Sequence, residues 1–232
     1  MTIAAVEVFA DPAALAKGAA ELITSRLQSA PGPRVSLGLA GGNSPSETYR
    51  NMRGLPCKWD RVDGWLADER WVPSDDQESN GRMAAEALFD HVTASLHRPR
   101  WAPWLEPAES AAHYEAILRS MHPTGHPPDL VLLGLGEDGH TASLFPGTAA
   151  LDAKRRWYVA NFVETLNTFR LTATFPLLSS AKEIFFLVAG EDKAERVAEI
   201  MNGVPHPATV VNESHPMVTW LLDDAAARLL PR

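Results

Sequence analysis

The chain has 232 residues, 45% hydrophobic and 22% charged, which excludes disordered, collagen-like and disulfide-scaffold classes and allows a large buried core. Its 29 acidic against 21 basic residues give a formal net charge of −8, a poor basis for holding nucleic acid, though a local cluster could still bind one small anion. A single cysteine, Cys57, excludes an internal disulfide and a cysteine-rich zinc site.

No run of residues has the apolar length of a membrane span, and Glu7 and Asp11 come too early for a signal peptide. The expectation is one domain over residues 1–232, cytoplasmic, with neither nucleic acid nor membrane as partner. A monomer or small homo-oligomer fits that picture.

In chain order, Val6 to Phe9 reads as a strand, and Asp11-Pro12 caps a helix running to about Gln28. Val35 to Leu39 is a short apolar strand, and a helix follows from Pro45. A strand over Asp60 to Ala67 precedes a polar loop and a helix through Met83 to Phe89. Glu106-Pro107 opens a helix whose apolar face is predicted to carry Ala111, Tyr114, Ile117 and Leu118. Asp129 to Gly134 is the most apolar strand; Phe169 to Thr174 and Ile184 to Val188 read as two more, with a helix over Asp192 to Met201. Unbroken apolar strands alternating with helices predict an α/β fold, a mostly parallel sheet with helices on both faces. Ligands bind such sheets beyond the strand carboxyl ends, where strand order reverses.

Three loops at predicted strand ends can carry chemistry. In the first, Gly41-Gly42-Asn43-Ser44-Pro45 opens a helix, with Ser44 as N-cap, Pro45 at N1 and Glu47 completing a capping box. Free N–H groups there suit a phosphate, although a tight turn with a well-capped helix explains most of the same residues. The second, Asp68-Glu69-Arg70, can orient hydroxyls and hold an anion, or be a solvated ion pair. The third runs from Gly134 through Gly136 and Gly139 to Pro146-Gly147. Its G-x-G-x-x-G spacing does not fit dinucleotide binding, because Pro146-Gly147 stops any long helix and Glu137 and Asp138 would face the phosphates.

What remains in the third loop is Asp138-Gly139-His140, a carboxylate beside an imidazole able to take a proton near neutral pH. His122 and His126 have i,i+4 spacing, but Pro123 and Gly125 deny them a helix, so no metal site is expected there. Arg170 and Lys193 each read alone as surface charge; together with the glycine loop they would form a local cationic site.

Taken in order, Gly41-Gly42-Asn43-Ser44-Pro45, Asp68-Glu69-Arg70, Ser79-Asn80, Gly134 to Pro146, Arg170-Leu171-Thr172, Gly190 with Lys193, and Trp220 to Asp223 resemble the 6-phosphogluconolactonase family over nearly the whole chain. The resemblance implies the fold shared with glucosamine-6-phosphate deaminases and hydrolysis of 6-phospho-D-glucono-1,5-lactone in the oxidative pentose phosphate pathway, without cofactor or metal. It implies His140 as general base with Asp138 beside it. Gly42, Ser44, Arg170 and Lys193 would lie on the phosphate side and Asp68 and Arg70 on the sugar side, with Gly41 and Asn43 also among the substrate-binding residues. The family loop usually reads Gly-Gly-Ser-Thr-Pro; Ser44 keeps the hydroxyl, while Asn43 departs.

Two other readings compete. An amino-sugar phosphate deaminase or isomerase usually continues its histidine loop as Phe-Asn-Glu-Pro, where this chain has Ser143-Leu144-Phe145-Pro146. A non-catalytic sugar-phosphate effector domain would need the phosphate loop but not Asp138 and His140.

Overall fold

The structure, a computed structural model, describes residues 5–123 and 126–231. Seven strands form one parallel sheet: β1 (Ala5–Phe9), β2 (Val35–Leu39), β3 (Val62–Leu66), β5 (Ser95–His97), β6 (Leu130–Leu133), β9 (Glu183–Val188) and β10 (Val218–Asp223), in the spatial order β1-β10-β9-β6-β2-β3-β5. Three more, β4 (Asp68–Arg70), β7 (Tyr158–Val163) and β8 (Thr168–Ala173), make a small antiparallel sheet in the order β4-β8-β7. The predicted strand over Phe169 to Thr174 therefore exists but belongs to this second sheet, because its partners are the neighbouring hairpin strand and the short charged strand β4.

Eight helices cover the sheets: α1 (Pro12–Ser29), α2 (Asn43–Met52), α3 (Asn80–Ala87), α4 (Pro107–Met121), α5 (Phe175–Leu178), α6 (Ala194–Met201), α7 (Pro207–Ser214) and α8 (Asp224–Ala227) among the described residues. Side-chain alternation along the central strands sorts two cores. Leu37, Leu66, Leu130, Leu132, Phe185 and Leu187 pack with Leu15 and Ile23 of α1 and Tyr49 of α2. Trp65, Val131, Leu133, Phe186 and Trp220 pack with Tyr114 and Leu118 of α4 and Val197 of α6. Burial on both faces explains why these strands carry no polar alternation.

Several expectations shift. Asp11 caps α1 as predicted, its carboxylate accepting the Ala14 N–H at 2.8 Å. The strand predicted over Asp60 to Ala67 shortens to β3, since Trp59–Arg61 form a 3₁₀ turn before it. Ile117 does not join the buried face of α4; it is 39% exposed, and the register instead buries Glu115. That carboxylate pairs with Arg119 and Arg156 and accepts the Trp157 N–H at 2.8 Å. Burial raises the Glu115 carboxyl, but the Trp157 N–H and the two guanidinium groups outweigh it and hold it below its usual range.

Candidate active site

The chain passes from β2 to β3 on one side and from β6 onward to β9 on the other, so the adjacent carboxyl ends of β2 and β6 form a topological switch point. A cavity of about 250 Å³ opens there, between the Gly41–Ser44 segment after β2, the Gly134–His140 loop after β6 and Ala189 after β9. Asp68, Arg70, Asn80, His140 and Lys193 also line it.

The glycine loop works differently from the predicted capping box. Helix α2 begins at Asn43, so Gly42 is the N-cap and Ser44 and Pro45 lie inside the first turn. Gly42 has φ +108°, a backbone region that a Cβ disfavours, and no side chain caps the helix. Its carbonyl accepts the Ser46 N–H at 3.1 Å. The Ser44 hydroxyl and the first N–H groups of α2 are thereby left for something other than a cap, at the end of the helix that favours an anion.

Strand β4 lies where the two sheets meet. Ala67 donates its N–H to Leu39 O at 2.9 Å and accepts the Ala173 N–H at 2.7 Å, so Asp68 emerges beside the glycine loop. Asp68 is 8% exposed; its Oδ2 accepts the Ser143 hydroxyl at 2.7 Å and its Oδ1 accepts Asn80 Nδ2 at 3.3 Å. Glu69, equally buried, points the other way. It accepts the N–H groups of Arg70, Asn80 and Gly81 and the Ser79 hydroxyl at 2.7–2.9 Å, tying β4 to the start of α3. Burial pushes the Glu69 carboxyl up, and these four donors recover only part of the shift. Asn80 packs so tightly on the loop after β2 that a Cβ at Gly41 would meet its Oδ1 at 2.0 Å.

Asn80 and Ser143 were not among the expected site residues, yet together they aim Asp68. Their only sequence signal was membership of the Ser79-Asn80 and Gly134-to-Pro146 motifs.

His140 is held from within its own loop. Its Nδ1 lies 2.6 Å from Asp138 Oδ1, which also accepts the His140 backbone N–H at 3.0 Å. Burial raises the Asp138 carboxyl, but the N–H and imidazole of His140 outweigh it and keep it ionised below its usual range. An ionised Asp138 fixes the proton on Nδ1, leaving Nε2 as the ring's proton acceptor. Phe145 stacks on the imidazole with centroids 3.9 Å apart.

The two basic residues separate. Lys193 lines the cavity, with Asp192 at 3.1 Å and Glu137 at 3.9 Å as exposed partners. Arg170 is not part of the cavity wall; it stands directly opposite Arg70 in the β4–β8 pairing. Burial, then the charge of Arg70, lowers the Arg170 pKa. Neither arginine forms an ion pair with a carboxylate among the described residues, and like charges placed opposite each other repel unless an anion joins them. No three His, Cys, Asp or Glu side chains converge as a metal centre requires among the described residues.

Known proteins resemble this chain in sequence and fold. Residues 10–220 match the family described as glucosamine-6-phosphate isomerases/6-phosphogluconolactonase. A 6-phosphogluconolactonase from Nostoc sp. is 34% identical over 233 residues, 95% of this chain and 96% of that one. The 6-phosphogluconolactonase structure from Trypanosoma brucei superimposes with a TM-score of 0.89 at 26% identity, covering 100% of both chains. A monomeric glucosamine-6-phosphate deaminase has a TM-score of 0.82 at 26% identity, covering 97% of this chain and 99% of that one. With a family match across most of its length and relatives of this identity, the chain belongs to the glucosamine-6-phosphate isomerase/6-phosphogluconolactonase family.

Proposed function

We propose that this protein hydrolyses 6-phospho-D-glucono-1,5-lactone to 6-phospho-D-gluconate, with His140 as general base. The observation that carries the reading is the Asp138–His140 contact at 2.6 Å on a cavity that also holds a helix N-terminus and Lys193. A lactone is an activated ester, so water needs a proton acceptor and polar groups facing the carbonyl. His140 Nε2 takes a proton from water as its oxygen bonds to the lactone carbonyl carbon, and Asp138 stabilises the imidazolium. The ring C–O bond then breaks, the leaving oxygen recovers the proton as a hydroxyl, and the new carboxylic acid ionises.

Lys193 and the Gly41–Ser44 segment hold the phosphate, with Arg170 adding charge from the neighbouring strand. Asp68 and Arg70 face the sugar, the former oriented by Asn80 and Ser143. The same reading makes the protein a one-domain cytoplasmic enzyme, a monomer or small homo-oligomer. Among the described residues no helix is long and apolar enough to cross a membrane.

The deaminase reading shares the scaffold. This chain places Phe145 against His140, where the deaminase loop supplies a carboxylate. The deciding experiment measures acid release from freshly generated lactone, corrected for spontaneous hydrolysis, beside ammonia release from glucosamine 6-phosphate. Lactonase activity without ammonia is expected; robust ammonia release with no lactonase activity overturns the assignment.

A further inference from the structure

The Gly134–Ala142 loop contains no helix, so its internal contacts fix the shape of the His140 turn without fixing where that turn sits. Gly136 N–H donates to His140 O at 2.9 Å and Gly139 N–H to Gly136 O at 3.1 Å, both inside the loop. Besides the Lys193–Glu137 contact, the hydrogen bonds that reach this loop from distant elements come from α6 and the start of α7. Arg196 donates Nε–H to Glu137 O at 2.9 Å, and Ala208 donates its N–H to Gly139 O at 3.1 Å. Gly139, at φ +82°, lies so close to His206 that a Cβ would meet its Cγ at 2.6 Å. His206 Nε2 is 2.9 Å from Glu199 Oε2, the same oxygen that pairs with Arg196 Nη1.

We propose that His206, Glu199 and Arg196 form a positioning clamp that sets the His140 turn relative to Lys193, a proposal that rests on the lactonase reading with His140 as base. His206 Nε2 lies 2.9 Å from Glu199 Oε2 and 3.0 Å from Arg196 Nη1, so the ring joins this pair as donor to the carboxylate in one tautomer and as acceptor of the guanidinium N–H in the other. Glu199 in turn holds the Arg196 guanidinium, whose Nε–H is then directed to the Glu137 carbonyl. Helix α6 carries both charged members of the clamp and starts directly after its N-cap, Lys193, the phosphate-side cation. The clamp thereby fixes the distance between the phosphate anchor and the proton acceptor. Such spacing affects the reacting geometry far more than it affects binding.

The test separates capping from clamping. In His206→Asn the short amide still caps α7 by accepting the Thr209 N–H but no longer reaches the Glu199–Arg196 pair. Its kcat is expected to fall about 10-fold, with KM within about twofold and Tm nearly unchanged. His206→Gln, whose longer amide can donate to Glu199 or accept from Arg196, is expected to recover most of that loss. Arg196→Lys removes the Nε–H that reaches Glu137 and is expected to give the same kcat-selective loss, which keeps the test open if His206→Asn fails to fold.

Wild-type kcat in His206→Asn or in Arg196→Lys, equal impairment of the Asn and Gln variants, or a change confined to KM overturns the clamp. Absence of lactone hydrolysis in the wild-type protein overturns the lactonase reading instead.

Discussion

The two ends of the parallel sheet carry similar amounts of charge and use them in opposite ways. At the amino ends of β2, β3 and β6 a cavity of about 300 Å³ is lined by Arg34, Asp63, His122, Asp129 and Lys182. There the charges are spent on one another. Arg34 forks onto Asp63, which also meets His97, while Lys182 and Ser36 hold Asp129. His122 is buried, its Nε2 has no partner among the described residues, and burial pushes its imidazole down toward the neutral form. At the carboxyl ends a cavity of about 250 Å³ has Arg70 in its wall and Arg170 behind it without a carboxylate, beside a helix start that no side chain caps. Size therefore does not distinguish the two cavities. What distinguishes the carboxyl-end cavity is guanidinium charge left without a carboxylate among the described residues, beside an uncapped helix start.

The sharpest way to break this comparison is at His140. His140→Gln keeps much of the side chain's bulk but removes the titratable acceptor, and the expected loss is ~10²–10⁴ in kcat with little change in KM. Initial rates against lactone concentration, corrected for spontaneous hydrolysis, provide the measurement. A near wild-type kcat in a folded variant would remove the histidine from the mechanism.

Next in size are the cations. Lys193→Ala and Arg170→Ala each remove one charge-assisted contact, expected to cost roughly 1.5–3 kcal/mol, or about 10- to 100-fold in kcat/KM, chiefly through KM. The two need not be equal, because Lys193 lines the cavity and Arg170 stands behind Arg70. If Arg170→Ala keeps wild-type kcat/KM and Lys193→Ala does not, the phosphate is held by Lys193 and the loop alone.

The sequence made the site's loops legible because they follow unbroken apolar strands. β2 and β6 are buried on both faces and end in glycines that open the chain to a ligand. It was less informative wherever a tertiary partner decides the outcome. Asp68-Glu69-Arg70 carries no strand signal; it is a strand because β8 supplies the hydrogen bonds. Trp220 to Asp223 stood out as a motif, but the strand Val218–Asp223 is defined only by its neighbours β1 and β9. Ser44-Pro45 spells a helix start in local terms, yet Gly42 reaches a dihedral that lets the helix begin earlier. The exchange of Ile117 for Glu115 on the buried face of α4 needs Arg119 and Arg156, and Arg156 comes from far along the chain.

The smallest expected effect sharpens the comparison from the amino end. Asp63→Asn removes the carboxylate shared by Arg34 and His97 but touches nothing in the carboxyl-end cavity, so kcat/KM should be unchanged. The Arg34 side chain is 51% exposed, so solvent screens the pair and about 1 kcal/mol of stability is expected to be lost near neutral pH. The sign of the pH dependence follows from the carboxyl itself. Burial raises the Asp63 pKa, but Arg34 and His97 outweigh burial and hold it below its usual range. The contribution is therefore complete above the unfolded carboxylate value of about 3.9 and fades as the pH falls through the lower folded value. Denaturant titrations of both proteins should then converge in acid and stay parallel above it. A fall in kcat/KM at unchanged stability would instead couple the amino-end charges to the reaction, and the division between spent and unspent charge would no longer separate the two cavities.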